Sequence, residues 1–151
     1  MDLFTPNSVA GFPAYYQEPN FSKNWFNTST IIARYKLITS YLEGKNRILG
    51  NSFTIATSLD IVDFIKNASF ISTPSDSTTL VQELVDYLLP EQPDAARMSY
   101  FINDIFLGGT MPYNWSNAWG DYLATNDDSV IRPRLEQIIT FLINSPEFQT
   151  F

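Results

Sequence analysis

The sequence predicts an all-α fold: an irregular multi-helix bundle with a long aromatic and proline-rich N-terminal arm packed on it. Three observations predict it. Apolar residues recur at steps of three and four through most of residues 27–151, the period of helices that each bury one face. Capping residues, glycines and prolines punctuate these stretches, as helix ends require. Hydrophobic residues make up 44% of the chain and charged ones 17%, enough to fill a core without disulfides or metals. At 151 residues the expectation is one helical domain, with 1–26 as arm and 27–151 as helices.

The arm, Leu3 to Phe26, has no helical period. Pro6, Pro13 and Pro19 interrupt it, and Phe4, Phe12, Tyr15, Tyr16, Phe21, Trp25 and Phe26 lie between them. Proline fixes φ and withholds a donor, so an extended, irregular path is expected. So many rings favour packing over exposure.

Asn27 then reads as an N-cap, and Ile31, Tyr35, Ile38 and Leu42 form a helical stripe that Gly44 ends. Residues 45–57 read as a loop, with a short strand at Phe53–Ala56 as one reading. Ser58 is the expected cap of a short helix burying Leu59, Val62 and Ile65, and Ser72–Thr79 an interhelical loop. A third helix is expected from about Thr78 to Leu89, with Val81, Leu84, Val85 and Leu88 inward, until Pro90 and Pro93 break it. The fourth places Met98, Phe101, Ile102 and Ile105 on one face and stops at Gly108-Gly109. After Pro112, the residues Trp115, Ala118, Trp119, Tyr122 and Leu123 share helical spacing. The last long helix carries Leu135, Ile138, Ile139 and Leu142 behind Pro133. Ser145-Pro146-Glu147 signals one more turn, burying Phe148, with Phe151 a further candidate.

Composition narrows the chemistry. Cysteine and histidine are both absent, which excludes disulfides, thiolate catalysis, thiolate or imidazole zinc sites and Ser-His-Asp or Cys-His mechanisms. The net charge of −7 argues against nucleic acid as a partner, since phosphates need clustered cations. No apolar run of about 18 residues occurs, so no membrane span is expected. No leader pattern opens the chain, and Met1 to Pro6 reads as entry into folded sequence, as a C-terminal fragment of a longer protein would show.

Carboxylates are the remaining acid–base groups. Asp60 and Asp63 lie three apart, as do Glu83 and Asp86. A glycosidase needs two carboxyls across a cleft with one pKa raised by burial. Acids three apart on a helix reach such separations while facing water, so the solvated-face reading is preferred. Asn126-Asp127-Asp128-Ser129 offers oxygen ligands but no complete EF-hand loop, and turn and capping duty explains it. Gly108-Gly109-Thr110 lacks the lysine and spacing of a phosphate loop. No catalytic residue, no metal site and no cofactor is expected. A candidate binding surface, suited to stacked sugar rings, comprises Tyr113, Trp115, Trp119 and Asp121, beside Tyr122, with Tyr15, Tyr16 and Trp25 as a second platform. Because Trp115, Trp119 and Tyr122 follow a helical stripe, ordinary helical core is the preferred reading of the same residues. Among the few cations, Arg34 is the expected structural tie, and Arg132 and Arg134 flank Pro133 as ties or carbonyl caps.

The run Thr5-Pro6-Asn7-Ser8-Val9-Ala10-Gly11-Phe12-Pro13, followed by Trp25-Phe26-Asn27-Thr28-Ser29-Thr30 and Arg34, resembles the C-terminal part of the domain-of-unknown-function-1800 family. Ala14-Tyr15-Tyr16-Gln17-Glu18-Pro19 is similar to its Bacteroidetes-type branch, and Leu88-Leu89-Pro90 and Ser145-Pro146-Glu147-Phe148-Gln149 resemble the family's ending. The opening departs from the family pattern at Thr5, Ser8 and Phe12, so no shared binding role is carried over. The family supplies no established activity, and no catalytic residue transfers. The resemblance implies a larger, mostly helical bacterial protein that is extracytoplasmic: periplasmic, outer-membrane associated or secreted.

The expected function is a non-catalytic structural or interaction module of that larger protein. Its partner would be the remainder of the parent chain or another envelope protein. The alternative is a glycan-binding or carboxylate-dependent glycan-processing module. A third reading places an active site mainly in the rest of the parent.

Overall fold

The structure, a computed structural model, describes residues 8–9, 12–13, 28–42 and 58–149. They belong to two compact units, one ending at Lys36 and the other beginning at Leu37. In the first, β1 (Ser8–Val9) and β2 (Phe12–Pro13) pair antiparallel, with Ser8 opposite Pro13 and Val9 opposite Phe12. This ladder is not anticipated by the irregular arm expected there. It tolerates Pro13 because a two-stranded pair consists of edge strands only. The expected packing of the arm, and the strand at Phe53–Ala56, lie outside the described residues.

Helix α1 covers Thr28–Leu42. Its expected stripe is only partly inward: Ile38 is buried and Ile31 and Leu42 half-buried, whereas Tyr35 is 43% exposed. Ile32, Leu37 and Tyr41 are exposed as well. Apolar residues thus surround this helix, and periodicity alone does not select its buried face.

Every element that follows belongs to the second unit. Helix α2 (Ile61–Asn67) is capped by Asp60, whose side chain accepts from the amides of Val62 at 3.1 Å and Asp63 at 3.2 Å. This corrects the expected Ser58 cap, for a carboxylate both bonds the orphan amides and complements the helix dipole. It also corrects Leu59, which precedes the helix and is 37% exposed, while Ile61, Val62 and Ile65 are buried. Helix α3 (Ser77–Leu88) is capped by Asp76 and buries Ser77, Leu80, Val81, Leu84 and Val85. Leu88, expected inward, is half-buried.

Helix α4 (Ala95–Tyr100), capped by Asp94, runs on without a break into a π-helical segment, Phe101–Phe106. Sequence spacing predicts a single α-helix here. The wider winding, with the Leu107 amide donating to the Ile102 carbonyl at 2.9 Å, swings residues five apart toward one side. Phe101 and Phe106 are therefore both fully buried, while Met98, Ile102 and Ile105 pack on the margin of the core. Gly108 and Gly109 end the segment at φ +58° and +75°, values that favour glycine.

Helix α5 (Pro112–Thr125) starts on its proline and ends at Asn126 with φ 60°. It buries Trp115, Trp119 and Tyr122, but Leu123 is 58% exposed. Helix α6 (Ile131–Asn144) buries Ile131, Leu135, Ile138, Ile139 and Leu142. Pro133 is tolerated because first-turn amides have no intrahelical acceptor. Helix α6 is the hub, touching α2, α3, the π segment, α5 and the terminal turn α7 (Pro146–Gln149). In α7, Phe148 is half-buried and Gln149 buried, its Nε2 donating to the Ile143 carbonyl at 2.7 Å. Phe151 lies outside the described residues. Apart from the two-residue ladder, the described fold is all-α.

Candidate functional site

The tryptophans of the expected binding surface are core residues. Trp115 and Trp119 are each 4% exposed and Tyr122 is 7% exposed. Phe106, Trp115, Trp119 and Tyr122 form a ladder with successive ring centroids 4.6, 5.8 and 5.5 Å apart. Trp115 also donates its Nε1 hydrogen to the Pro74 carbonyl at 2.9 Å, satisfying its polar edge inside the core. A sugar needs an open ring face, and neither tryptophan offers one. The stacked platform on Trp115 and Trp119 is corrected to a packed stripe. Tyr113 and Asp121 are exposed on the other side of α5, where they form no platform with the buried rings. Tyr15, Tyr16 and Trp25 lie outside the described residues. Arg34 is half-buried on α1 and has an interaction partner.

The structure instead assembles charge where α2, the end of α5 and the start of α6 meet. A cleft of about 290 Å³ there includes Asp60, Asp63, Lys66, Tyr122 and Asp128. Arg132 ties two of these carboxylates together, donating Nε to Asp128 at 2.9 Å and Nη2 to Asp60 at 3.2 Å. Lys66 Nζ stands 5.6 Å from the Tyr122 ring centroid, a cation–π separation. The Asp63 amide and, behind it, Arg132 hold the Asp60 carboxyl below its ordinary 3.8 against the opposing effect of burial. Arg132 is shifted up, chiefly by its hydrogen bond to Asp128. Asp60 and Arg132 each stabilise the charged form of the other.

Three more carboxylates, Asp76, Asp127 and Glu147, are lowered as well. The amide of Thr79 lowers Asp76 and that of Ser129 lowers Asp127. Burial pushes Glu147 up, but a backbone hydrogen bond and Arg97 outweigh it and leave the group below its ordinary 4.5. Arg97 bonds Glu147 at 3.0 Å, and its guanidinium carbon lies 4.8 Å from the Phe101 ring centroid and 5.7 Å from that of Phe141. Glu83, half of one suspected acid pair, accepts from the Ser72 amide at 2.9 Å and from its hydroxyl. Asp86 accepts from Gln82 and Gln92, and Asp63 from Asn67. The turn Asn126 to Ser129 does turn and pairing work: Asp127 accepts from the Ser129 amide at 3.0 Å and Asp128 pairs with Arg132.

A general acid for glycoside cleavage needs a raised pKa. Asp60, Asp76, Asp127 and Glu147 are all shifted the other way. Their chemistry is that of permanent anions fastening amides and guanidinium groups. Sequence reading missed the Arg97 cage and the Asp60–Arg132 pair. The first left a trace, since Phe101 lies four residues after Arg97, neighbouring positions on a helix. The second joins residues 72 apart, a separation that no local spacing rule reaches.

Fold and site together define a helical protein whose ionised side chains cap helices and join them. The chain belongs to the family described as protein of unknown function (DUF1800), whose model matches residues 1–150. No curated protein and no solved structure matches it. Among the described residues, no helix is long and apolar enough to cross a membrane.

Proposed function

We propose that this chain is a non-catalytic structural or interaction module of a larger secreted or envelope-associated bacterial protein. The observation that carries the reading is the downward shift of Asp60, Asp76, Asp127 and Glu147, each of which accepts hydrogen bonds that fasten the fold. Groups held ionised in this way are poor proton donors at neutral pH. Placement in the envelope rests on the family resemblance of the opening motif. The partner is the rest of the parent chain or a neighbouring envelope protein.

The test is fractionation of the native bacterium after cross-linking of intact cells, followed with an antibody against this region. The expected result is recovery in the periplasmic, outer-membrane or secreted fraction, cross-linked to an envelope protein or through bridges within the parent chain. Recovery in the cytosolic fraction, with no cross-link to this region, would overturn the proposal.

A further inference from the structure

We propose that the cavity between the π-helical segment, the start of α5 and the first turns of α6 binds a small oxyanion through Arg134. The cavity has a volume of about 110 Å³ and is lined by Phe106, Thr110, Asn114, Trp115, Val130 and Arg134, among others. That is far below the roughly 300–1,000 Å³ of clefts that take drug-sized molecules. A phosphate, sulfate or carboxylate group is of the right size.

Charge selects the sign of the ligand. In a chain of net charge −7, no lining residue of this cavity is acidic. Arg134 is half-buried, and among the described residues its one hydrogen bond runs from Nη1 to the Phe106 carbonyl at 3.3 Å. Capping that carbonyl uses one of five guanidinium donors and neutralises no charge. Arg132, two residues earlier, is instead paired with Asp60 and Asp128. An anion in the cavity would supply the counterion that no described residue offers Arg134.

The position of Arg134 is built into the backbone. Gly108 sits at φ +58°, and a Cβ there would collide with Arg134 Nη1. Bare glycine backbone is therefore what lets the guanidinium lie where it does. Asn114 adds a side-chain amide able to donate. The 14-residue α5 starts at Pro112 with no side-chain cap, and Asn114 and Trp115, near that positive end of its dipole, line the cavity. None of this resembles a phosphate loop. The charge comes from a residue 26 positions beyond Gly108.

The test titrates the chain with inorganic phosphate, sulfate and acetate at ionic strength fixed with chloride, following the Arg134 side-chain and Asn114 amide resonances by NMR. A saturable shift with at least one oxyanion is expected. Saturation by phosphate or sulfate identifies a tetrahedral group; saturation by acetate identifies a carboxylate. Arg134→Lys should weaken binding about tenfold, because the planar fork is lost, and Arg134→Gln should abolish it. Asn114→Asp places an anion in the cavity while favouring the helix dipole, so it should abolish binding without lowering Tm. The proposal is wrong if none of the three anions gives a saturable shift, or if Asn114→Asp binds as the native chain does.

Discussion

The ring ladder of α5 and the charged cleft at the start of α6 meet at Tyr122, and they hold the molecule by opposite means. Phe106, Trp115 and Trp119 are nearly dry and contribute through area removed from water, about 25 cal/mol per Å². Asp60, Asp128 and Arg132 are partly wet, with the Asp60 side chain 56% exposed, so solvent screens most of their attraction. Rings hold the bundle together, and aspartates fix where α2, α3 and α4 begin. The same division accounts for the cage at Arg97, where a guanidinium lies among aromatic rings and anchors α7 through Glu147.

The largest expected effect falls on the ladder. Trp115→Ala should lower stability by about 3–5 kcal/mol, measured by urea unfolding, because it leaves a cavity against Phe106 and orphans the Pro74 carbonyl. A loss below about 1 kcal/mol would place the ladder outside the core. Gly108→Ala comes next, at about 1–2 kcal/mol from the positive φ alone, since the Arg134 end can swing aside; a neutral outcome in a thermal melt would remove the backbone constraint. Arg132→Gln should cost no more than about 1 kcal/mol, and the loss should shrink with added salt. A salt-independent loss as large as that of Trp115→Ala would erase the contrast between rings and charges. Tyr113→Ala and Asp121→Asn, on the exposed side of α5, should stay within about 0.5 kcal/mol of the native chain.

Much of the fold was legible because its signals are local. The stripes Val81/Leu84/Val85, Trp115/Trp119/Tyr122 and Leu135/Ile138/Ile139/Leu142 each repeat at helical spacing, and all these residues are buried. The π segment was not legible, because Phe101, Ile102, Ile105 and Phe106 fit an α-helical stripe almost as well. Only the demand that both phenylalanines reach the core separates the two windings. Leu59 and Leu123 continue a stripe by spacing, yet both are exposed, since a stripe does not state where its burial ends. The candidate site was legible in kind more than in place. Spacing brought the three ladder residues of α5 together, but whether such rings face solvent or core depends on Phe106 and Pro74, which the chain delivers from elsewhere. Arg132 and Arg134 could be read as ties or caps; that one would meet two carboxylates and the other none depends on the tertiary fold.

The most direct measurement is an NMR titration of the side-chain carboxyl carbons of Asp60, Asp76, Asp127 and Glu147. Depressed carboxylates contribute their stability in full above their ordinary values of 3.8 for the aspartates and 4.5 for Glu147. That contribution is lost as pH falls through the lower folded values. The expected result is four midpoints below those ordinary values, with unfolding free energy level from neutrality down to about pH 5 and declining below it. A midpoint displaced upward toward neutrality at any of the four would reveal a proton donor, and would contradict a domain whose carboxylates serve its fold.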